Sequence, residues 1–180
     1  MPIQKEDCAA VIIDIQERLF PHIHQHNELE SNVIRLIRGL QVLQVPIVFT
    51  EQYSKGLGPT IESIRRILET NQPIEKITFS CCASIHFNDA LESLGKYSII
   101  IAGTESHVCV LQTVQDLMEQ NYLPVVVEDC VSSRKANDQK VAIERMRQAG
   151  AVITTYESLL FELLGEAGND TFKAISKIVK

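Results

Sequence analysis

Unbroken apolar runs, rather than alternating ones, punctuate this chain. Ala9-Ala10-Val11-Ile12-Ile13, Ile47-Val48-Phe49, Ser98-Ile99-Ile100-Ile101-Ala102, Leu123-Pro124-Val125-Val126-Val127 and Val152-Ile153 each carry apolar residues at odd and even positions alike. Such runs suit strands covered on both faces, as in a parallel sheet. Ile74-Glu75-Lys76-Ile77 adds a shorter extended segment after the Asn71-Gln72-Pro73 turn. Between the runs the apolar period changes to that of a helix. Val33, Ile34, Ile37, Leu40 and Leu43 mark a helix over 30–44, with Ser31 or Asn32 as candidate caps. Further helices are predicted over 61–68, over 85–94 with Gly95 as its stop, from Cys109 to about 121, over 138–149 before Gly150, and as a final pair. Strands alternating with helices require right-handed crossovers, so the predicted fold class is α/β: a three-layer α/β/α sandwich with a mainly parallel central sheet.

Length and charge narrow the picture. The 180 residues fit one domain, 1–180, with 45% hydrophobic and 22% charged residues, an ordinary soluble composition. A net charge of −6 and the absence of any basic run argue against nucleic acid as a partner. No apolar stretch reaches membrane-spanning length and residues 1–7 do not read as a signal peptide, so no membrane partner and a cytoplasmic location are expected. The cysteines, Cys8, Cys81, Cys82, Cys109 and Cys130, lack zinc-type spacing and are expected as reduced thiols. Cys8 and Cys130 border strands and read as packing residues, as does the Cys81-Cys82 pair, because adjacent cysteines bridge only with strain.

Ligands of an open parallel sheet bind beyond the carboxyl ends of its strands. There the sequence places Asp14, Glu51, Lys76, the segment Thr104-Glu105-Ser106-His107-Val108-Cys109, and Glu128. Cys109 opens a helical pattern, and a helix start favours thiolate over thiol. A cysteine with a lysine to lower its pKa and a carboxylate to carry its proton makes a nucleophilic set. Backbone N–H groups at a helix entrance can hold an oxyanion, each worth about 3 kcal/mol. Residue types alone do not say which acid and which lysine join the cysteine.

Three segments in order, Val11-Ile12-Ile13-Asp14-Ile15-Gln16, Lys76 with Phe79-Ser80, and Ala102-Gly103-Thr104-Glu105-Ser106-His107-Val108-Cys109-Val110, resemble the isochorismatase-like cysteine hydrolase superfamily. Thr50-Glu51-Gln52-Tyr53 with Lys55-Gly56-Leu57-Gly58 looks most like its isochorismatase domain-containing proteins. The resemblance implies a triad of Asp14, Lys76 and Cys109, a cis peptide bond at Thr104-Glu105, and an oxyanion hole from the backbone N–H groups of Glu105 and Cys109. Gln16, Phe20 and Phe79 become the expected walls of a small-molecule pocket, and a homo-oligomer is expected. No metal or cofactor is expected, because Glu51-Gln52-Tyr53 lacks the histidine that nicotinamidases carry after the second strand. A cysteine at the nucleophile position, which vinyl-ether-cleaving isochorismatases do not need, tilts the expected reaction toward acyl transfer: C–N bond cleavage of a small amide or amide-like substrate through a thioester.

Bland readings stand beside these. His22, His24 and His26 alternate along a mixed segment, the pattern of a polar surface more than of a metal site. His107 sits two residues before Cys109, a spacing that does not make it the base of a Cys/His dyad. A dinucleotide site would want G-x-G-x-x-G after the first strand, where Asp14-Ile15-Gln16-Glu17-Arg18 stands instead. The competing class is a non-catalytic binding or scaffold protein on the same fold.

Overall fold

In the computed structural model, which describes residues 3–68 and 72–180, every strand of the sheet runs parallel to its neighbours. Among the described residues the sheet comprises β1 (Cys8–Ile13), β2 (Ile47–Gln52), β3 (Ile74–Lys76), β4 (Ser98–Thr104), β5 (Leu123–Ser132) and β6 (Val152–Thr154), ordered β3-β2-β1-β4-β5-β6. The order reverses between β1 and β4, so a crevice opens at their carboxyl ends.

Helices cover both faces: α1 (His26–Val42), α2 (Ser54–Leu57), α3 (Glu62–Ile67), α4 (Ile85–Leu94), α5 (Leu111–Glu119), α6 (Ala136–Ala149), α7 (Tyr156–Leu164) and α8 (Asp170–Val179). The unbroken apolar runs are used on alternate sides. Ala10, Ile12, Ile100, Val125 and Val127 pack with Leu36, Ile37 and Leu40 of α1 and Leu159, Leu160 and Leu163 of α7. Their sequence neighbours Val11, Ile13, Ile99, Ile101 and Val126 pack with Phe87 and Leu91 of α4, Val114 and Leu117 of α5, and Met146 of α6. These two cores, one on each side of the sheet, are the three-layer sandwich.

The centre of the sheet is set by one close approach. Gly103 pairs with Ile13 at φ +125°, and a Cβ there would lie 2.1 Å from the Ile13 carbonyl oxygen. Only glycine lets β4 lie this near β1 at the crevice.

Boundaries shift where tertiary contacts override local signals. α1 begins at His26, after Gln25 in the left-handed region. The predicted caps lie inside it: Ser31 Oγ donates to the Asn27 carbonyl and the Asn32 amide donates to the Asp129 carbonyl. β5 continues past Val127 because its register on β4 slips, from Ile101 opposite Val126 to Gly103 opposite Val131. Of the predicted turn before β3, Asn71 lies outside the described residues.

Candidate functional site

β1 ends at Ile13, and the next residue, Asp14, takes φ +48° and is 1% exposed. A buried carboxylate in the left-handed region needs partners on every side. It has them. Thr104 Oγ1, at the end of β4, donates to the Asp14 carbonyl at 2.8 Å. Thr50 Oγ1, on β2, donates to Oδ1 at 2.7 Å, and Lys76 Nζ, the last residue of β3, donates to Oδ2 at 2.7 Å. Four neighbouring strands thus converge on one residue.

Lys76 spends its charge locally. Besides Asp14, its ammonium donates to the carbonyls of Thr78 and Phe79, each at 3.0 Å, so all three N–H bonds are used. Burial pulls its pKa down, and the Asp14 carboxylate with smaller contributions from Cys81 and Cys109 more than offsets this, leaving the lysine above its ordinary value. With no N–H left over, Lys76 reaches Cys109 only through its field and through Asp14.

The nucleophile candidate does not open a regular helix. Residues Ser106–Val110 form a π-helical turn, in which Val110 N–H donates to the Glu105 carbonyl at 3.2 Å, and α5 starts only at Leu111. The Thr104-Glu105 peptide bond just before it is cis. Cys109 is buried within this turn; its thiol donates to Gln52 Oε1 at 3.4 Å and lies within the field of the Asp14 carboxylate. Burial raises the thiol well above its ordinary pKa, the Asp14 carboxylate raises it further, and Lys76 offsets only part. Lys76 thus acts on the thiol in the expected direction, but desolvation and the adjacent carboxylate outweigh it and leave the thiol above its ordinary pKa, beside a base.

Other expected pocket residues separate. Gln16 is wholly enclosed; its amide donates to the carbonyls of Gln52 and Gly58 and its oxygen accepts from Gln52 N–H, so it holds the end of β2 rather than facing a ligand. Phe20 lies in the core on the α1 side of the sheet, its ring 5.8 Å from that of His26, whereas Cys109 belongs to the opposite core. Phe79 is 52% exposed, and what it brings to the site is the carbonyl that receives Lys76. Glu105 Oε2 accepts both the backbone N–H and Nε of Arg134 at 3.0 Å. Glu51 accepts from the N–H and hydroxyl of Thr60 at 2.6 and 2.7 Å, and Glu128 pairs with Arg147 at 3.4 Å; neither carboxylate is among the groups on Asp14 or Cys109.

The histidines part as well. His24 N–H donates to the Ser133 carbonyl and its carbonyl accepts from Ser132 Oγ, and His107 faces Ser133 and Asp138. Among the described residues no group of three His, Cys, Asp or Glu side chains is arranged to hold a metal ion. All five cysteines are free and buried. Cys81 approaches Thr50 Oγ1 at 3.9 Å and Cys82 the Thr113 carbonyl at 3.9 Å, and burial pushes their thiols up to about 11 and about 12. A cleft of about 590 Å³ along α6, lined by residues such as Glu128, Lys140, Ile143 and Arg147, shares no residue with the site.

Sequence reading missed Thr50 and Gln52. Their signal was spacing: two polar residues at positions i and i+2 where an apolar strand ends point to one face, with Glu51 between them pointing to the other.

An α/β sandwich with an acid, an amine and a thiol grouped where strand order reverses defines the class. The chain belongs to the isochorismatase family: the family model described as "Isochorismatase domain" matches residues 8–158. It is 41% identical to isochorismatase family protein 1B of Dictyostelium discoideum, over 99% of this chain and 88% of that protein. It is 37% identical to isochorismatase domain-containing protein 2 of Bos taurus, over 94% of this chain and 81% of that protein. Among solved structures, the MAR1 ribonuclease of Caenorhabditis elegans superposes with a TM-score of 0.93 at 36% identity, covering 99% of this chain and 92% of that one. The YcaC gene product of Escherichia coli, described as an octameric hydrolase of unknown specificity, shares the fold with a TM-score of 0.93 at 23% identity, covering 99% and 89%.

Proposed function

We propose that this protein is a cysteine hydrolase that cleaves the C–N bond of a small amide or amide-like molecule. The observation that carries the reading is the placement of Asp14, whose carboxylate acts on the neighbouring Cys109 thiol while Lys76 and Thr50 hold its two oxygens at 2.7 Å each. Asp14 takes the thiol proton as the sulfur attacks the carbonyl carbon, so no free thiolate is needed at rest. The tetrahedral oxyanion is held by the backbone N–H groups of Glu105 and Cys109. Asp14 then returns the proton to the departing nitrogen, the C–N bond breaks, and a thioester remains on Cys109. Water attacks that thioester, its proton passing to Asp14 and on to the sulfur, which releases the acid and restores the thiol. Lys76 keeps Asp14 in place and ionised.

The acidic chain, with net charge −6 and no basic run, argues against a polyanionic substrate. The ribonuclease named among the solved structures makes RNA a control worth running on the same preparation. We place the protein in the cytoplasm and expect it to self-associate, as the octameric YcaC product does. A scaffold without turnover is the second reading, and burial favours it: Cys109 is only 5% exposed, so a substrate must find a way in. Ammonia release across a panel of small amides, with Cys109→Ala as the blank, separates the two. Release that survives Cys109→Ala, or no release from any amide, contradicts the proposal.

A further inference from the structure

The turn that carries Cys109 closes on itself through backbone bonds, Leu111 N–H reaching the Ser106 and Val108 carbonyls. Val108 N–H and Val110 N–H share one acceptor, the Glu105 carbonyl, at 3.1 and 3.2 Å. Ser106 Oγ is buried with no hydrogen-bond partner, so the turn's first side chain fixes nothing. Cys109 itself is tied to Gln52 and Thr113, whereas Glu105 and His107 ahead of it are both tied to one short segment, residues 133–138, where β5 runs into α6. Glu105, four residues before the thiol, is held by Arg134 through two hydrogen bonds of 3.0 Å. His107, two residues before it, has Nδ1 2.9 Å from Ser133 Oγ and Nε2 3.8 Å from Asp138 Oδ2. Ser133 is wholly buried just beyond the end of β5, while the imidazole is partly exposed.

We propose that His107 is a positioning residue for Cys109: by gripping Ser133 it anchors the π turn to the end of β5, with the Glu105–Arg134 pair as the second point of the brace. It acts through the backbone of the turn and touches neither thiol nor Asp14. The geometry explains why this position carries a side chain with two opposed polar atoms, one directed at Ser133 and one at Asp138. It also explains how the stretch leading to Cys109 is fixed so that the thiol keeps its bond to Gln52 and its place beside Asp14. A shift of about 1 Å at a reacting group costs up to a hundredfold in rate, so loosening this anchor registers at the sulfur. The inference rests on the reading of Cys109 as nucleophile.

The test is the rate of Cys109 modification by iodoacetamide at neutral pH, followed by peptide mass mapping, with melting temperature recorded for each variant of the whole chain. His107→Ala is expected to slow modification roughly tenfold with little change in melting temperature. His107→Asn, whose amide replaces Nδ1 toward Ser133, is expected to recover most of the rate, and His107→Gln, which reaches only toward Asp138, is not. A wild-type rate in His107→Ala overturns the brace while leaving the nucleophile reading intact. Losses in all three variants that merely follow a lowered melting temperature overturn it too, by making His107 a stabilising residue only. If wild-type Cys109 is itself unmodified, the brace is overturned, whereas the nucleophile reading is decided separately by ammonia release in Cys109→Ala.

Discussion

Lys76 Nζ lies 2.7 Å from Asp14 Oδ2, with both side chains sealed from solvent at 0% and 1% exposure. Removing one member of such a pair strands the other charge in a poorly solvated place, at a cost of about 3–5 kcal/mol. Lys76→Met is therefore expected to lower stability in urea by about that much. Asp14→Asn is compatible with the left-handed backbone there, since asparagine tolerates that region. The double variant is expected to lose clearly less than the sum of the single losses, because neither charge is then left alone. Additive losses in a double-mutant cycle would contradict the pairing.

Alkali is expected to destabilise the fold in a defined order. Burial raises Cys8 to about 12, Cys81 to about 11 and Cys82 to about 12, from an ordinary value of 9.0. A raised folded-state pKa means the native thiol keeps its proton while the unfolded one loses it. Stability from these groups is thus intact below about pH 9 and is lost as pH rises toward their folded values. Lys76, also raised, adds its loss above its ordinary 10.5, as pH passes through its folded-state value. Urea midpoints measured from pH 7 to 11 should be level to about pH 9 and fall beyond it; a fall beginning near pH 7 would contradict this.

Thr50 is the residue whose role in the site emerges only in three dimensions. Thr50→Val keeps the shape and removes the hydroxyl from Asp14 Oδ1. The expected result is about a tenfold drop in kcat with KM nearly unchanged, because the lost hydrogen bond orients the base and does not bind substrate. A rise in KM at constant kcat would assign Thr50 to substrate binding instead.

Two glycines with positive φ separate a close approach from a simple helix stop. At Gly95 an added Cβ meets nothing within 4 Å, so Gly95→Ala pays only for the left-handed backbone, about 1–2 kcal/mol. At Gly103 the added Cβ falls 2.1 Å from the Ile13 carbonyl oxygen, with Ile13 N at 2.6 Å. Gly103→Ala is expected to cost several times more, or to abolish soluble expression, by prising β1 from β4. Equal effects in thermal melts would contradict the account of the sheet centre.

Much of this was legible in the sequence, for physical reasons. Runs such as Ile99-Ile100-Ile101 announce burial on both faces, and the helical periods between them fix a parallel sheet and the α/β/α layers. The helix over 85–94 and its stop at Gly95 are found as read, because apolar period and terminator agree there. Side-chain direction at strand ends was less legible. Gln16 and Phe20 both follow the first strand, yet one is consumed by backbone hydrogen bonds and the other turns to the far core. A neutral resting Cys109 was also out of reach, since burial and the nearness of Asp14 depend on distant strands meeting. The register slip that extends β5 to Ser132, and so supplies the segment bracing the nucleophile turn, has no local signature in Val127-Glu128-Asp129-Cys130.

The account turns on whether the sulfur of Cys109 becomes covalently bonded to the acyl part of a substrate. Rapid quenching of the protein during turnover of an amide that releases ammonia, followed by intact-mass and peptide mass measurement, reads this directly. The predicted result is a transient mass increase equal to the acyl group, confined to the peptide bearing Cys109 and absent in Cys109→Ala, with Asp14→Asn slowing its formation by roughly a hundredfold or more. Turnover with no adduct on Cys109, and with full activity retained in Cys109→Ala, would contradict it.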